Sequence, residues 1–164
     1  MWKNITLMRT IHLILMKSLA AWLEEYGESH RNATNITIHW ICVPVIFWCV
    51  SGLLFQITIP VLGNLAIPVL ALATIYYATL SRFLWPGMLL FGFICLLSAY
   101  QLFILLNTDS VFVYLGLFTA AWIGQFSGHH VEGKKPSFLK DLQFLMIGPA
   151  WLMVKLYRKI GIQL

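Results

Sequence analysis

Charged side chains are scarce in this chain of 164 residues. Only 10% of the residues are Asp, Glu, Lys or Arg, whereas hydrophobic residues make up 60%. Soluble domains usually contain about 25% charged residues, because their surface must be solvated. The shortage of charge argues against a soluble domain and predicts an integral membrane protein. The net charge of +5 suits lipid headgroups better than nucleic acid, so no nucleic-acid partner is expected.

Several sequence motifs are missing as well. The three cysteines, Cys42, Cys49 and Cys95, lie in apolar runs without a CxxC pair. We therefore expect buried thiols and no disulfide framework. The chain also has no nucleophile elbow, no Gly-rich phosphate loop and no Rossmann fingerprint. The catalytic templates that depend on these motifs fit this sequence poorly.

The hydrophobic residues form four apolar segments. Each approaches the ~20 residues needed to cross a hydrocarbon core ~30 Å thick, and the fourth is the shortest. The sequence therefore predicts an all-α fold, a membrane bundle of four transmembrane helices in a single domain of residues 1–164. The segments are His39–Ile57, Ile59–Leu80, Trp85–Leu106 and Val111–Ser127.

Less apolar segments flank the four spans. Residues 17–28 have apolar side chains at helical spacing and glutamates on the other side, which predicts an amphipathic helix at the membrane interface. The C-terminal stretch has cations at both ends and Gly148–Pro149 in the middle, which favours an interfacial or re-entrant helix pair over a fifth span. Residues 1–15 are interpreted as an upstream extension before Met16, and His12 as incidental.

Positive charges in the connections predict the orientation of the spans. Arg31 precedes the first span, Arg82 follows the second, and Lys134 and Lys135 follow the fourth, whereas the other turns have no cation. This alternation predicts a multi-pass protein of a bacterial inner membrane, or of the endoplasmic reticulum in a eukaryote, with both termini in the cytoplasm. Because the number of spans is even, the polar segments before the first and after the fourth meet on one face.

Those two polar segments, residues 26–40 and 125–138, contain four of the five histidines. Imidazole with carboxylate suits Fe(II), Zn or Mn, and two histidines with one carboxylate are the common ligand set of non-haem Fe(II) oxygenases. The alternative is that interfacial histidines only hydrogen-bond lipid headgroups or backbone. The candidate metal ligands are His30, His39, His129 and Glu132.

Helical geometry restricts how these residues can meet. His30 and His39 are nine positions apart, so they would face opposite sides of one continuous helix. A shared ion therefore requires a break, which the stretch Asn32–Asn35 can provide. His129 and Glu132 lie at i and i+3 on one helical face.

The neighbouring residues are weaker candidates. His130 points about 100° away from His129, which makes it a poorer ligand, and Asp141 is a more distant carboxylate. Other residues are candidates for supporting the ligands or contacting the substrate. They are Asn32, Asn35, Gln125, Lys134 and Lys135.

Both polar segments resemble a known family. The runs YGESHRNATNITIHWICVP and WIGQFSGHHVEGKKPSFLKDLQFLMIGP are similar to the membrane 2-hydroxy fatty acid dioxygenases, the fatty acid α-oxidation proteins of yeast and bacteria. The resemblance extends from Met16 to about Tyr157. It implies a small multispanning protein that uses Fe(II) and O₂ to shorten a 2-hydroxy fatty acid by one carbon. The family histidines correspond to His30, His39 and His129, and His130 departs from the family pattern.

These observations lead to one hypothesis and two alternatives. We expect His30, His39 and His129 to hold Fe(II), with Glu132 as a ligand or supporting residue, while the acyl chain lies among the spans. One alternative is another membrane lipid-modifying metalloenzyme, although such enzymes usually need more histidines. The other is a non-enzymatic membrane scaffold or transporter, and the nearly uncharged spans argue against transport.

Overall fold

The computed structural model describes residues 17–60, 63–133 and 138–162. Within these ranges the chain is helical apart from short connections, which confirms that the fold is all-α. The helices are α1 (Leu19–Gly27), α2 (Ala33–Phe55), α3 (Ala66–Leu80), α4 (Leu84–Leu106), α5 (Ser110–Glu132) and α6 (Phe138–Lys159). The connections include an antiparallel ribbon of β1 (Thr58–Ile59) with β2 (Gly63–Asn64), and a 3₁₀ turn at Asn107–Asp109.

Helices α2 and α5 are antiparallel along their whole lengths. At one end Asn35 Nδ2 donates to Glu132 Oε2 at 3.0 Å, and at the other Gln56 Nε2 donates to Ser110 Oγ at 2.7 Å. The helices approach closely, because a Cβ atom at Gly128 would collide with Asn35 Oδ1. We call the end where α2 begins and α5 ends the histidine end.

Helix α4 runs in the same direction as α2. The Phe47 and Phe91 rings have centroids 5.1 Å apart, and those of Phe55 and Phe103 are 5.9 Å apart. The residue numbers therefore rise together along the two helices. Since α5 returns along α2, the turn at Asn107–Asp109 reverses the chain between α4 and α5.

Helix α3 runs opposite to α4. Leu70 lies against Gly92, and Tyr77 packs in one core with Met88, so the residue numbers rise on one helix as they fall on the other. Helices α2 to α5 thus alternate in direction. The end of α3 and the start of α4 therefore also lie at the histidine end.

Helix α6 packs on the histidine end as one continuous helix through Pro149. The expected helix pair about Gly148–Pro149 is therefore wrong. A proline removes a single backbone donor, and the buried Ile147, Ala150 and Trp151 hold the helix on both sides of it. The Tyr77 hydroxyl adds a bond to the Met146 carbonyl at 2.8 Å.

The predicted amphipathic helix is present as α1. Ser18 caps it by accepting from Ala21 N at 3.2 Å, and the half-buried side chains of Lys17 and Glu25 form an ion pair. Its buried face, with Trp22 and Tyr26, packs against α6 in one core with Trp151. This contact holds the connection between α1 and α2 close to α6.

Two stretches of the described chain are long and apolar enough to cross a membrane, namely Ala33–Phe55 and Leu84–Glu132. The second contains both α4 and α5. A helix of 23 residues, as each of α2, α4 and α5 is, is roughly 34 Å long. Helix α3 is apolar but has only 15 residues.

The lengths differ from those predicted for the spans. Helix α2 begins at Ala33 rather than at His39, because Asn32 caps it. The shortest helix is the second of the four and not the fourth, since the β1–β2 ribbon takes up its first residues and α5 continues to Glu132. The polar residues after Ser127 form the last turns of a helix.

Candidate metal centre

Three histidines come together at the histidine end. One ligand atom from each of His30, His39 and His129 lies within 4.8 Å of the other two. The ring centroids of His30 and His39 are 4.3 Å apart, and those of His39 and His129 are 5.1 Å apart. His30 and His39 are buried, so the group is largely shielded from water.

The connection between α1 and α2 lets His30 meet His39. Helix α1 ends at Gly27, and Asn32 caps α2 by accepting from Thr34 N at 2.9 Å. His30 lies in the connection between the two helices. It therefore does not follow the helical rotation that would place it on the side of α2 opposite His39. The break that their spacing requires is therefore present.

Backbone carbonyls orient two of the three rings. His30 Nδ1 lies 2.6 Å from the Tyr26 carbonyl oxygen, and His39 Nδ1 lies 2.9 Å from that of Asn35. When Nδ1–H donates to a carbonyl, Nε2 keeps its lone pair, which is the tautomer that a metal ion requires. The two imidazoles are thus held in the form that binds metal through Nε2.

One buried nitrogen of this group has no hydrogen-bond partner among the residues that the structure describes. It is Nε2 of His30, the atom that the Tyr26 contact leaves as an acceptor. An unsatisfied buried polar atom is costly and needs a reason. A cation shared with His39 and His129 would satisfy it, so the donor set fits a metal ion.

Burial also determines the charge of His30. Desolvation lowers its pKa to about 3, the Tyr26 carbonyl opposes that shift, and the neighbouring His39 and His129 add to it. The ring is therefore neutral near pH 7. Because a protonated imidazole cannot bind a metal ion, neutrality keeps His30 ready as a ligand.

Glu132 lies outside the three-histidine group. Its Oε1 accepts from Arg31 N at 3.0 Å, and its Oε2 accepts from Asn32 N at 2.9 Å and from Asn35 Nδ2 at 3.0 Å. A carboxylate at the start of a helix satisfies free backbone donors and suits the helix dipole. Glu132 therefore fastens the connection that carries His30 to the end of α5.

The remaining predicted site residues differ in their location: one lines the cavity, one is exposed, and the others lie outside the described part of the chain. Gln125 lines the same cavity as the histidines. His130 is exposed and does not belong to the group. Other predictions fall outside the described residues, namely those for residues 1–15 with His12, for Lys134 and Lys135, and for the Asp141 side chain.

Two aromatic residues at the site were not predicted. The Tyr26 ring stacks on His30 with centroids 4.0 Å apart and an interplanar angle of 11°, and the Trp151 ring centroid is 5.4 Å from that of His30. The spacing of Tyr26 and His30, four residues apart, was a usable signal. Trp151 gave none, because its contact depends on how α6 packs.

An apolar cavity of about 140 Å³ adjoins the histidines. His30, His39, His129 and Gln125 line one end of it. Hydrophobic side chains from α2, α3, α4 and α6 form most of the remaining wall. Few polar groups at one end of an apolar cavity are typical of a site that orients a mostly apolar ligand by its polar head.

Comparisons with known proteins identify the family of this chain. A family model described as 2-hydroxy-palmitic acid dioxygenase Mpo1-like matches residues 16–160. The chain is 35% identical over 146 residues to the 2-hydroxy-palmitic acid dioxygenase MPO1 of Saccharomyces cerevisiae, across 87% of this chain and 82% of the yeast protein. No solved structure matches the chain. The resemblance of the two polar segments is confirmed, and the chain belongs to the Mpo1-like family.

Proposed function

We propose that this protein is a membrane-bound Fe(II)-dependent dioxygenase that shortens 2-hydroxy fatty acids by one carbon. The observation that carries the proposal is the buried Nε2 of His30, which lies beside His39 and His129 and has no hydrogen-bond partner in the described part of the chain. This group lies at the head of an apolar cavity. The yeast relative is named for the same substrate class.

The donor set and the reaction together favour iron. Imidazole nitrogen suits Zn, Cu, Fe and Ni, and Zn has no redox chemistry. When bound, Fe(II) supplies the activation of O₂ and a Lewis acid for the hydroxy-carboxylate. The balanced reaction converts R–CH(OH)–COOH and O₂ into R–COOH, CO₂ and H₂O.

The chain's own residues bind the ion, orient the substrate and exclude water. His30, His39 and His129 hold the ion, and Glu132 holds the connection that carries His30. Gln125, beside His39 in the cavity, is placed to hydrogen-bond the polar head of the substrate. In the sequence Lys134 and Lys135 follow the last turn of α5, and we propose that they attract the substrate carboxylate. Asn32 and Asn35 support the metal ligands.

We further propose that α2 to α5 are four membrane spans, with the histidine end and both termini at the cytoplasmic face. The support is the alternating direction of these helices and the charge pattern of their connections. Large apolar side chains are also exposed on their outer faces, which is favourable only in a hydrocarbon surrounding. Examples are Leu72, Leu90, Phe93, Leu105, Phe112 and Ile123.

The direct test uses the purified full-length chain. Metal analysis should find on the order of one iron per chain, and the iron-loaded protein should convert 2-hydroxypalmitic acid and O₂ into pentadecanoic acid and CO₂. His39→Ala should lose both iron and turnover. His130→Ala is the matched control, because that histidine is exposed and outside the group.

Two results would overturn the proposal. One is full turnover by His39→Ala, which would show that the histidine group is not the site. The other is a wild-type protein that binds no transition metal, which would favour a membrane scaffold.

A further inference from the structure

The apolar cavity continues from the histidine end along α2. Its wall on that helix includes Val43, Ile46, Val50 and Leu54, which follow His39 at helical spacing. At a rise of ~1.5 Å per residue, the stretch from His39 to Leu54 covers roughly 22 Å. That length is comparable to an extended palmitoyl chain.

Apolar residues of α3 and α4 form the facing wall. Ala66 at the start of α3 is buried, and it lines the cavity at the end far from the histidines. Gly92 of α4 also lines the cavity, and a Cβ atom there would collide with the Leu70 side chain. Leu70 therefore packs directly on Gly92, and Val69 and Leu96 complete the facing wall.

Beyond Gln125 and towards Leu54, the lining has few polar groups. Ser51 is one, and its hydroxyl is already bonded to the Phe47 carbonyl at 2.9 Å. Trp122 is the other. A space with so few hydrogen-bonding partners holds water poorly and suits a hydrocarbon chain.

We propose that this cavity is an acyl-chain channel whose far end, at Leu54 and Ala66, sets the longest chain that the protein accepts. The inference rests on the proposed function for the position of the substrate head at the histidines. The chain then lies inside the bundle along α2 and not in the surrounding lipid. The substrate class is accordingly a 2-hydroxy acid with one long acyl chain that adopts an extended form.

Changes of volume at the far end should shift chain-length preference in opposite directions. Ala66→Leu fills the end, so the ratio of turnover on 2-hydroxyarachidic acid to that on 2-hydroxylauric acid should fall by about tenfold or more. Leu54→Ala opens the end, so the same ratio should rise. Ala71→Leu is the matched control, since it places the same side chain at an exposed position of α3 and should leave the ratio unchanged.

A second measurement does not depend on turnover. Metal-free full-length protein is incubated with palmitic acid that carries a photoreactive diazirine at the chain terminus, and the labelled peptides are mapped. Label should concentrate on the segments that contain Leu54 and Ala66, and a diazirine near the carboxyl should label the segments of His30 and His39. Label on outward-facing Leu72 and Ile75 instead would overturn the channel.

The two measurements separate the channel from the enzyme. Far-end labelling without chain shortening would keep the channel and reject the dioxygenase. Normal chain shortening with a ratio that neither far-end variant moves would reject the channel and keep the dioxygenase. Because Leu54→Ala removes atoms and adds none, it tests the idea even where the larger side chain at Ala66 prevents folding.

Discussion

At the scale of single residues, the tautomer of His30 depends on one backbone carbonyl, that of Tyr26. The Tyr26 carbonyl holds Nδ1 at 2.6 Å and the Tyr26 ring stacks on the imidazole, so one residue controls both the protonation site and the plane of the ligand. The metal-free site is left with a buried neutral ring. The free-energy cost of burying this neutral ring depends on pH and can be measured.

Lowering the pH should destabilise the metal-free protein. The pKa of His30 is about 3 in the folded protein and 6.5 for an unperturbed histidine, so the unfolded chain binds a proton that the folded chain excludes. The contribution of this histidine to stability is therefore constant above pH ~6.5. As the pH falls from ~6.5 to about 3, stability decreases by up to about 1.4 kcal/mol per pH unit. Thermal unfolding in detergent with chelator measures this. A His30→Gln variant should show a shallower dependence, and identical slopes would contradict the assignment.

Replacing Glu132 by Gln tests whether this residue anchors the connection or binds the metal. The amide keeps one acceptor oxygen and loses the charge, so a backbone N–H of Arg31 or Asn32 loses its partner. We expect a loss of about 1–3 kcal/mol in unfolding free energy and a metal affinity weakened roughly 10–100-fold. Calorimetric metal titration and thermal unfolding measure the two effects, with exposed Glu24→Gln on α1 as control. Complete loss of metal at unchanged stability would instead identify Glu132 as a ligand.

At the scale of the element, hydropathy predicted the helices better than their ends. Apolar composition marked the cores of α2, α4 and α5, since a span needs many apolar residues in succession. It could not mark where α2 starts, because Asn32 begins the helix through a capping bond that adds no hydrophobicity. Nor could it foresee that α6 continues through Pro149, since that depends on buried neighbours.

The close packing of α2 on α5 can also be tested by mutation. A Cβ atom at Gly128 would collide with Asn35 Oδ1, whereas nothing lies within 4 Å of a Cβ atom at Gly116 on the same helix. Gly128→Ala should therefore cost about 1–3 kcal/mol of stability and weaken metal binding, because Asn35 holds Glu132. Gly116→Ala should change stability by less than ~1 kcal/mol. Equal effects in thermal unfolding would show that the helices are not in close contact.

For the whole molecule, the sequence predicted that the two polar segments meet. An even number of antiparallel helices returns the chain to its starting end, and the charge alternation gave that number. The spacing of His30 and His39 also required the break that is present. What could not be predicted is the bond of Glu132 to Arg31 and Asn32, because it depends on the register of α2 against α5. The cavity had no sequence signal, since its walls come from several helices.

Binding of metal should stabilise the whole bundle. The three proposed ligands lie on the α1–α2 connection, α2 and α5, so an ion that joins them opposes their separation. At a metal concentration 100-fold above the dissociation constant the gain is about 2.7 kcal/mol. The thermal midpoint of the wild type should rise when Fe(II) is added without oxygen and fall with chelator. His30→Gln should lose most of the rise, and a wild-type midpoint indifferent to chelator would contradict the metal site.

The position of His30 has a practical consequence for purification. His39 and His129 lie on two helices packed along their lengths, but His30 follows α1, whose buried face rests on α6. A harsh detergent that lifts α1 from α6 would move Tyr26, whose carbonyl orients the His30 ring, while His39 and His129 stay in place. The iron of the proposed enzyme would then leave before the bundle unfolds, so such a preparation would be folded, monodisperse and inactive. Extraction in lipid nanodiscs should preserve the iron content.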